Sequence, residues 1–522
     1  MPCGWRAAPW KTEVTPAVAL AERAPGARRA ALLAAHGLFW LGLMALITRT
    51  PPIDNVEQLV WRHAPAWGYY KHPPLPTWLL GAAAALWPPT PALTYLLGAL
   101  CLLGALALYG LLLRRLLGAD AARLALLAML CLSYATDRLP FYNHNVVMLP
   151  LIAGVALLLW RATERPALAP WAGIGLLLGL GLLAKYQMAL AAACVALWWL
   201  RIGGWRQPVQ RAGLLLAALL AALVFAPHLA WLVRADFAPL RYAEESALGA
   251  HVPLLQRPAQ VALWTLDWLG NRLLPAWLLL GAAWLLARRR AGAPAAAPPP
   301  AALARDYLLL WGFGPLVLMA LMALLGGIHL QLKWSTAFAP WTVAALVALG
   351  ARRPARGQRL GAARVAWPAF VLVQALLVAQ VLWWAQGAQR DPTRSGGWRQ
   401  RDFASAAEAL AGPARQALGG PVQLINGPYG VAGALALRLP GQPRVLIDGE
   451  LAKSPWLTPE RLAGARTLSV WPACALPEGA HRLMPGWAWW PRAAPPPAAG
   501  AREQALRDDA SRDGGALNVT CP

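Results

Sequence analysis

The residues best suited to chemistry lie in one short stretch near the start of the chain. Asp54 and Glu57 stand three apart in Pro51-Pro52-Ile53-Asp54-Asn55-Val56-Glu57. On a helix that spacing puts both carboxylates on one face. Such a pair could hold a divalent cation, or divide the work of a general base and a positioning group. It also fits a helix start, with Asp54 as the cap and Glu57 closing the capping box. Spacing alone leaves both open. A second cluster follows, Trp67-Gly68-Tyr69-Tyr70-Lys71-His72-Pro73-Pro74-Leu75. Paired prolines hold the backbone extended and rigid. Lys71 and His72 on that frame suit a phosphate, and the aromatic rings suit a sugar face or the headgroup layer. The plainer alternative is an interfacial anchor without catalysis.

These residues sit in a chain that must live in lipid. Of 522 residues 58% are hydrophobic and 13% charged, with mean hydropathy +0.44. Soluble domains carry roughly a quarter charged residues, so a water-exposed surface cannot be built from this composition. Apolar runs long enough to span, roughly 17–25 residues, or slightly short of it, fall near 30–48, 91–113, 120–136, 146–160, 168–185, 188–200, 212–233, 261–287, 306–325, 336–350 and 365–385. The expectation is an all-α polytopic membrane bundle of about eleven transmembrane helices.

The net charge of +24 admits two explanations. Nucleic-acid binding needs a basic soluble module, and none is visible. Arginine placement supports the other. Arg28/Arg29, Arg114/Arg115, Arg161/Arg165, Arg201/Arg206/Arg211, Arg288/Arg289/Arg290 and Arg352/Arg353/Arg356/Arg359 fall in alternate loops. The positive-inside rule then puts the N-terminus in the cytoplasm and the C-terminus outside a plasma membrane. The loops on the other side are 49–77, 137–145, a turn at 185–187, 234–260 and 326–335. They hold most of the acidic, His and Lys residues of the membrane region, among them Asp137, His144, Lys185 and Lys333, together with Asn143, Asn145, Tyr186 and Arg241. Polar groups gathered at one interface point to a site there. Lys185 and Lys333, at the ends of apolar runs, equally fit snorkelling, and His144 equally fits a hydrogen-bonded loop residue.

The expected organisation is a cytoplasmic segment over 1–27, a transmembrane catalytic region over 28–388, a small extracytoplasmic α/β domain over 389–494 and a disordered tail over 495–522. Residues 1–27 do not read as a signal peptide, and 291–300 is an Ala/Pro linker. In the domain, Val422–Ile425, Arg444–Asp448 and Thr467–Trp471 read as strands and Val431–Leu439 as a helix. Asn426-Gly427-Pro428 reads as a turn. Cys101, Cys131 and Cys194 lie in apolar runs, while Cys474 and Cys521 could pair outside the cytoplasm. No C-x-x-C metal spacing exists.

Asp54 in the first loop, followed by Gly-Tyr-Tyr-Lys-His-Pro-Pro-Leu, resembles the dolichyl-phosphate-mannose protein mannosyltransferases. These are glycosyltransferase family 39 and its relatives in the GT-C superfamily, among them the lipid A aminoarabinose transferase and rhizobial galacturonosyltransferases. Phe141-Tyr142-Asn143-His144-Asn145 and Gly179-Leu180-Gly181-Leu182-Leu183-Ala184-Lys185-Tyr186 continue the likeness over roughly 30–350. The resemblance implies a polyprenyl-phosphate sugar as donor, with an envelope glycan, lipid or protein as acceptor and membrane lipid around it. It implies Asp54 as the essential carboxylate, acting as general base in a single inverting displacement. It also implies donor-phosphate or substrate contacts among Tyr70, Lys71, His72, Asp137, Asn143, His144, Asn145, Lys185, Tyr186, Arg241 and Lys333. Many members have an adjacent Asp-Glu pair; here Asn55 follows Asp54, with Glu57 beyond. Asn145 stands where a second carboxylate is expected, which weakens the case for a divalent metal ion on Asp54 and Glu57. A carrier that flips lipid-linked sugars is the competing function. It predicts internal repeats and midplane polar groups, which the sequence lacks.

Overall fold

A computed structural model describes residues 16–244, 252–288, 301–350, 363–390, 397–473 and 479–491. The linker at 291–300, the tail over 495–522 and both Cys474 and Cys521 lie outside the described residues.

Every apolar run is helical. Helix α1 is Pro16–Ile47, α2 Ile53–Trp61, α3 Leu75–Ala84, α4 Pro91–Met129, α5 His144–Glu164, α6 Leu168–Ala184, α7 Met188–Arg201 and α8 Pro208–Arg234. Then come α9 Ala238–Ala243, α10 Arg257–Leu266, α11 Leu274–Arg288, α12 Ala302–Gly326, α13 Ala339–Gly350 and α14 Ala363–Arg390. The runs at 91–113 and 120–136 join in α4 through a break at Gly118, whose φ of 78° is open to glycine without strain. The run at 261–287 is likewise one bent unit, turning by 52° between α10 with its following turn and α11. Six described helices are each long and apolar enough to cross a membrane, or seven with the bent pair; α3, α6, α7 and α13 are shorter apolar helices. In lipid, helix association relies on close backbone approach. Gly175 and Gly179 of α6 supply it: a Cβ at Gly175 would sit 2.5 Å from the Ala217 carbonyl oxygen of α8.

The C-terminal module holds α15 (Phe403–Ala417), β1 (Leu424–Gly427), α16 (Tyr429–Ala436), β2 (Arg444–Ile447), α17 (Pro459–Ala463) and β3 (Thr467–Pro472). Two strands not expected from the sequence, β4 (His481–Met484) and β5 (Trp487–Trp490), complete a mixed sheet in the order β2-β1-β3-β5-β4. The parallel half is β2-β1-β3; β5 runs antiparallel to β3 and β4.

The module is seated on the first loop. Gly430 and Gly433 of α16 let α2 approach so closely that added Cβ atoms would fall 2.7 Å from Ile53 and 2.6 Å from Val56. Val56, Val60, Trp61 and Tyr69 share one buried apolar cluster with Leu424, Ile425, Val431, Leu435 and Ile447. Residues 397–402 clamp the end of α1. The Arg399 carbonyl accepts from the backbone N–H groups of Arg49 and Thr50, and the Trp398 indole donates to the Pro51 carbonyl at 2.8 Å. The first loop is thus a packed layer between bundle and module.

Candidate active site

Helix α2 starts after Pro52, which caps nothing with its side chain. Asp54 lies inside the first turn rather than at the cap, so the capping-box alternative does not hold. Its Oδ2 accepts a hydrogen bond from Asn143 Nδ2 at 2.7 Å. Asn143 in turn caps α5 by accepting from the Val146 N–H at 3.0 Å. Asn55, buried completely, donates to Thr94 Oγ1 and the Pro140 carbonyl at 2.8 Å each and accepts from the Tyr142 N–H at 2.9 Å. It is a clasp between two loops.

Glu57 turns the other way. It is 2% exposed and pairs with Lys71 Nζ at 3.0 Å. Lys71 also donates to the Tyr429 hydroxyl at 3.2 Å and lies over the rings of Tyr429 and Tyr242. Burial, the largest single influence, pushes the Lys71 ammonium down, but Glu57 together with Tyr242, Tyr429 and Tyr70 holds the pKa well above the ordinary lysine value. Asp54 and Glu57 therefore face different partners, and among the described residues no three His, Cys, Asp or Glu side chains gather as ligands. As arranged, the two carboxylates do not fit a shared divalent cation.

The structure brings several expected residues together around His72. Its ring lies 4.1 Å from that of His144, centroid to centroid. Burial first, then His144, Lys71, Lys185 and Lys333, hold the His72 imidazole well below its usual pKa. Lys185 donates to Asn145 Oδ1 at 2.6 Å, and Lys333 comes from the turn at Leu332–Ser335. Tyr70 packs edge-on against Tyr242 and under Lys453; burial, ahead of nearby charges, raises its phenol well above the usual value.

Three expected residues lie apart from this cluster. Asp137 pairs with Arg399 at 3.3 Å and fixes the segment that clamps α1. Arg241 pairs with exposed Asp236, while its neighbour Tyr242 reaches the site. The Tyr186 hydroxyl bonds His228 Nε2 at 2.9 Å, and His228 Nδ1 bonds the Trp67 carbonyl at 2.5 Å, bracing the first loop against α8.

The sequence did not single out Trp61, Tyr242, Tyr429, Asp448 or Lys453. Trp61 stacks on Tyr69 at 4.6 Å and meets Tyr70, His72 and His144 edge-on or tilted. One turn beyond Glu57 on α2, it carried a usable signal. Tyr429 and Asp448 follow the carboxyl ends of β1 and β2, where open parallel sheets present ligand contacts. Asp448 accepts from Lys453 at 2.8 Å.

Residues 71–231 match the family described as dolichyl-phosphate-mannose-protein mannosyltransferase. A 205-residue stretch is 26% identical to the lipopolysaccharide core galacturonosyltransferase RgtA of Rhizobium johnstonii, covering 38% of this chain and 41% of that protein. The fold is that of ArnT from Cupriavidus metallidurans. The structure of ArnT bound to undecaprenyl phosphate superposes with a TM-score of 0.59 at 14% identity, over 88% of this chain and 97% of ArnT. Apo ArnT gives 0.54, again at 14% identity, over 84% and 92%. These relatives are GT-C family glycosyltransferases, and the family match begins within the first loop, at Lys71-His72-Pro73-Pro74-Leu75.

Proposed function

We propose that this GT-C-type membrane protein moves a sugar from a polyprenyl-phosphate carrier to an envelope glycan, lipid or protein on the outer face of the plasma membrane. The N-terminus is cytoplasmic and the C-terminal module extracytoplasmic. The observation that carries this reading is the placing of Asp54. It is half-buried at the loop end of the bundle, held by a neutral amide, at the same end as the cluster of His72, His144, Lys185 and Lys333.

In the reaction, Asp54 takes the proton of the acceptor hydroxyl as that oxygen attacks the anomeric carbon. The bond from that carbon to the phosphate oxygen breaks, and the lipid phosphate leaves with the electron pair. One displacement inverts the anomeric centre. Positive charge beside the departing phosphate stabilises the transition state. Asn143 orients the carboxylate through the 2.7 Å hydrogen bond. The relative bound to undecaprenyl phosphate supports a polyprenyl-phosphate donor.

The test is Asp54→Asn in purified, folded protein given labelled polyprenyl-phosphate sugar. Loss of a general base costs roughly 100- to 10,000-fold in rate, with donor binding retained. Wild-type transfer by the variant would remove Asp54 from the mechanism. Movement of donor across vesicles without release of lipid phosphate would replace the transferase with a flippase.

A further inference from the structure

Two histidines meet at the centre of the cation cluster, and their state is legible from their partners. His144, first residue of α5, is 4% exposed, and its Nε2 has no hydrogen-bond partner among the described residues. The ring bonds the Pro73 backbone carbonyl. A carbonyl only accepts, so the nitrogen facing it carries the proton, and in a neutral ring Nε2 keeps a bare lone pair. Trp61 Nε1, on the ring that lies 6.1 Å from His144, is also buried without a partner. Unpaired polar atoms in a closed site are costly unless a ligand completes them. His72 beside them is half-buried.

The charges facing the pair have one sign. Lys71, Lys185 and Lys333 press on His72, and Lys71 and Lys185 press on His144. The two carboxylates of the first loop are engaged: Glu57 with Lys71, and Asp54 with Asn143, the residue before His144. Lys71 is therefore neutralised at 3.0 Å, and a new anion would reach it only at the expense of Glu57.

We propose that the donor phosphate seats on the His72–His144 pair, with His144 Nε2 contacting a phosphate oxygen, and that seating takes up a proton from solvent onto the pair. The proposal rests on the polyprenyl-phosphate reading above. A lone pair repels a phosphate oxygen; an imidazolium donates to it. The anion also offsets the lysines whose field, after burial, disfavours protonation of His72. Lys185 and Lys333 flank the phosphate. No covalent bond changes in this step.

The experiment is calorimetric titration of the full-length protein in detergent with a short-chain polyprenyl methyl phosphodiester. This probe has one fixed charge and no proton to exchange near neutral pH. Titrations in two buffers of different ionisation enthalpy give the protons taken up per probe bound. The wild type is expected to take up as much as one, with affinity falling by at most about tenfold per pH unit as pH rises. His72→Lys supplies a fixed cation and should bind with uptake abolished. His144→Gln supplies a neutral donor and should do the same. Binding by the wild type without uptake overturns the inference and leaves the donor reading standing. Uptake unchanged in both variants also overturns it. Absence of probe binding by the folded wild type sinks the donor reading itself.

Discussion

Removing Glu57 tests whether Lys71 braces the first loop or serves the donor. The two charges are 3.0 Å apart, with side-chain exposures of 2% for Glu57 and 11% for Lys71. At an effective dielectric near 20 their attraction is about 5 kcal/mol. Desolvation offsets much of that, so the pair adds little over an apolar substitute, whereas stranding one member costs roughly 3–5 kcal/mol. Glu57→Gln removes the counter-ion of the ammonium packed on Tyr429 and Tyr242; Lys71→Met removes the cation paired with the carboxylate. Each single variant should lower the thermal midpoint in detergent, and the double variant should be more stable than Glu57→Gln. A pH series adds a sign test. In the wild type the raised Lys71 value makes its contribution present below the unfolded value of 10.5 and lost only above the folded one. Without Glu57 the largest opposing influence to burial is gone and the folded value falls. The deficit of Glu57→Gln should then shrink as pH rises and Lys71 discharges in the folded chain. A double variant destabilised by the sum of the singles would refute the coupling. A Glu57→Gln protein of wild-type stability with tighter phosphodiester binding would make Lys71 a phosphate ligand instead.

Other outcomes follow from the same geometry. Asn55→Ala removes three buried hydrogen bonds and strands their partners; the expected loss is roughly 2–4 kcal/mol, read as a lower thermal midpoint. Gly433→Leu places side-chain atoms where Val56 and Val60 already lie within 2.9 Å. It should release the C-terminal module from α2, seen as faster proteolysis of the module and loss of transfer. His63, pushed down to about 4 by burial with Arg62 and Arg444 near, and His72 are neutral when folded. Both favour the folded state above the ordinary imidazole value of 6.5, and that advantage drains away as pH falls below it. The midpoint should drop in that range, less steeply in His63→Asn.

The bundle was legible because a helix in lipid declares itself by an unbroken apolar run. What joins the runs was not. The break in α4 rests on Gly118, one glycine among many, and the 52° bend before α11 leaves no mark in hydropathy. In the module, β1, β2 and β3 announced themselves by aliphatic runs between turn residues. Strands β4 and β5 are four residues each, His-Arg-Leu-Met and Trp-Ala-Trp-Trp, and carry too little alternation to be told from loop.

The site divides along the same line. The motif around Lys71 and His72 is contiguous, so its residue types were visible, but roles depend on partners far away in the chain. Lys71 and Tyr429 are 358 positions apart. Asn55 looked like a missing carboxylate and is a buried clasp, because its neighbours Thr94, Pro140 and Tyr142 come from other loops. Conversely, Lys71 looked like the natural phosphate ligand, and the fold neutralises it with Glu57. A membrane protein can place many cations at one interface cheaply, since their ends reach water; the informative fact is which of them the fold has already balanced. Here Glu57 balances Lys71, Asp448 balances Lys453 and Asp137 balances Arg399. The positive field left to receive an anion is centred on the two histidines, with Lys333 beside them.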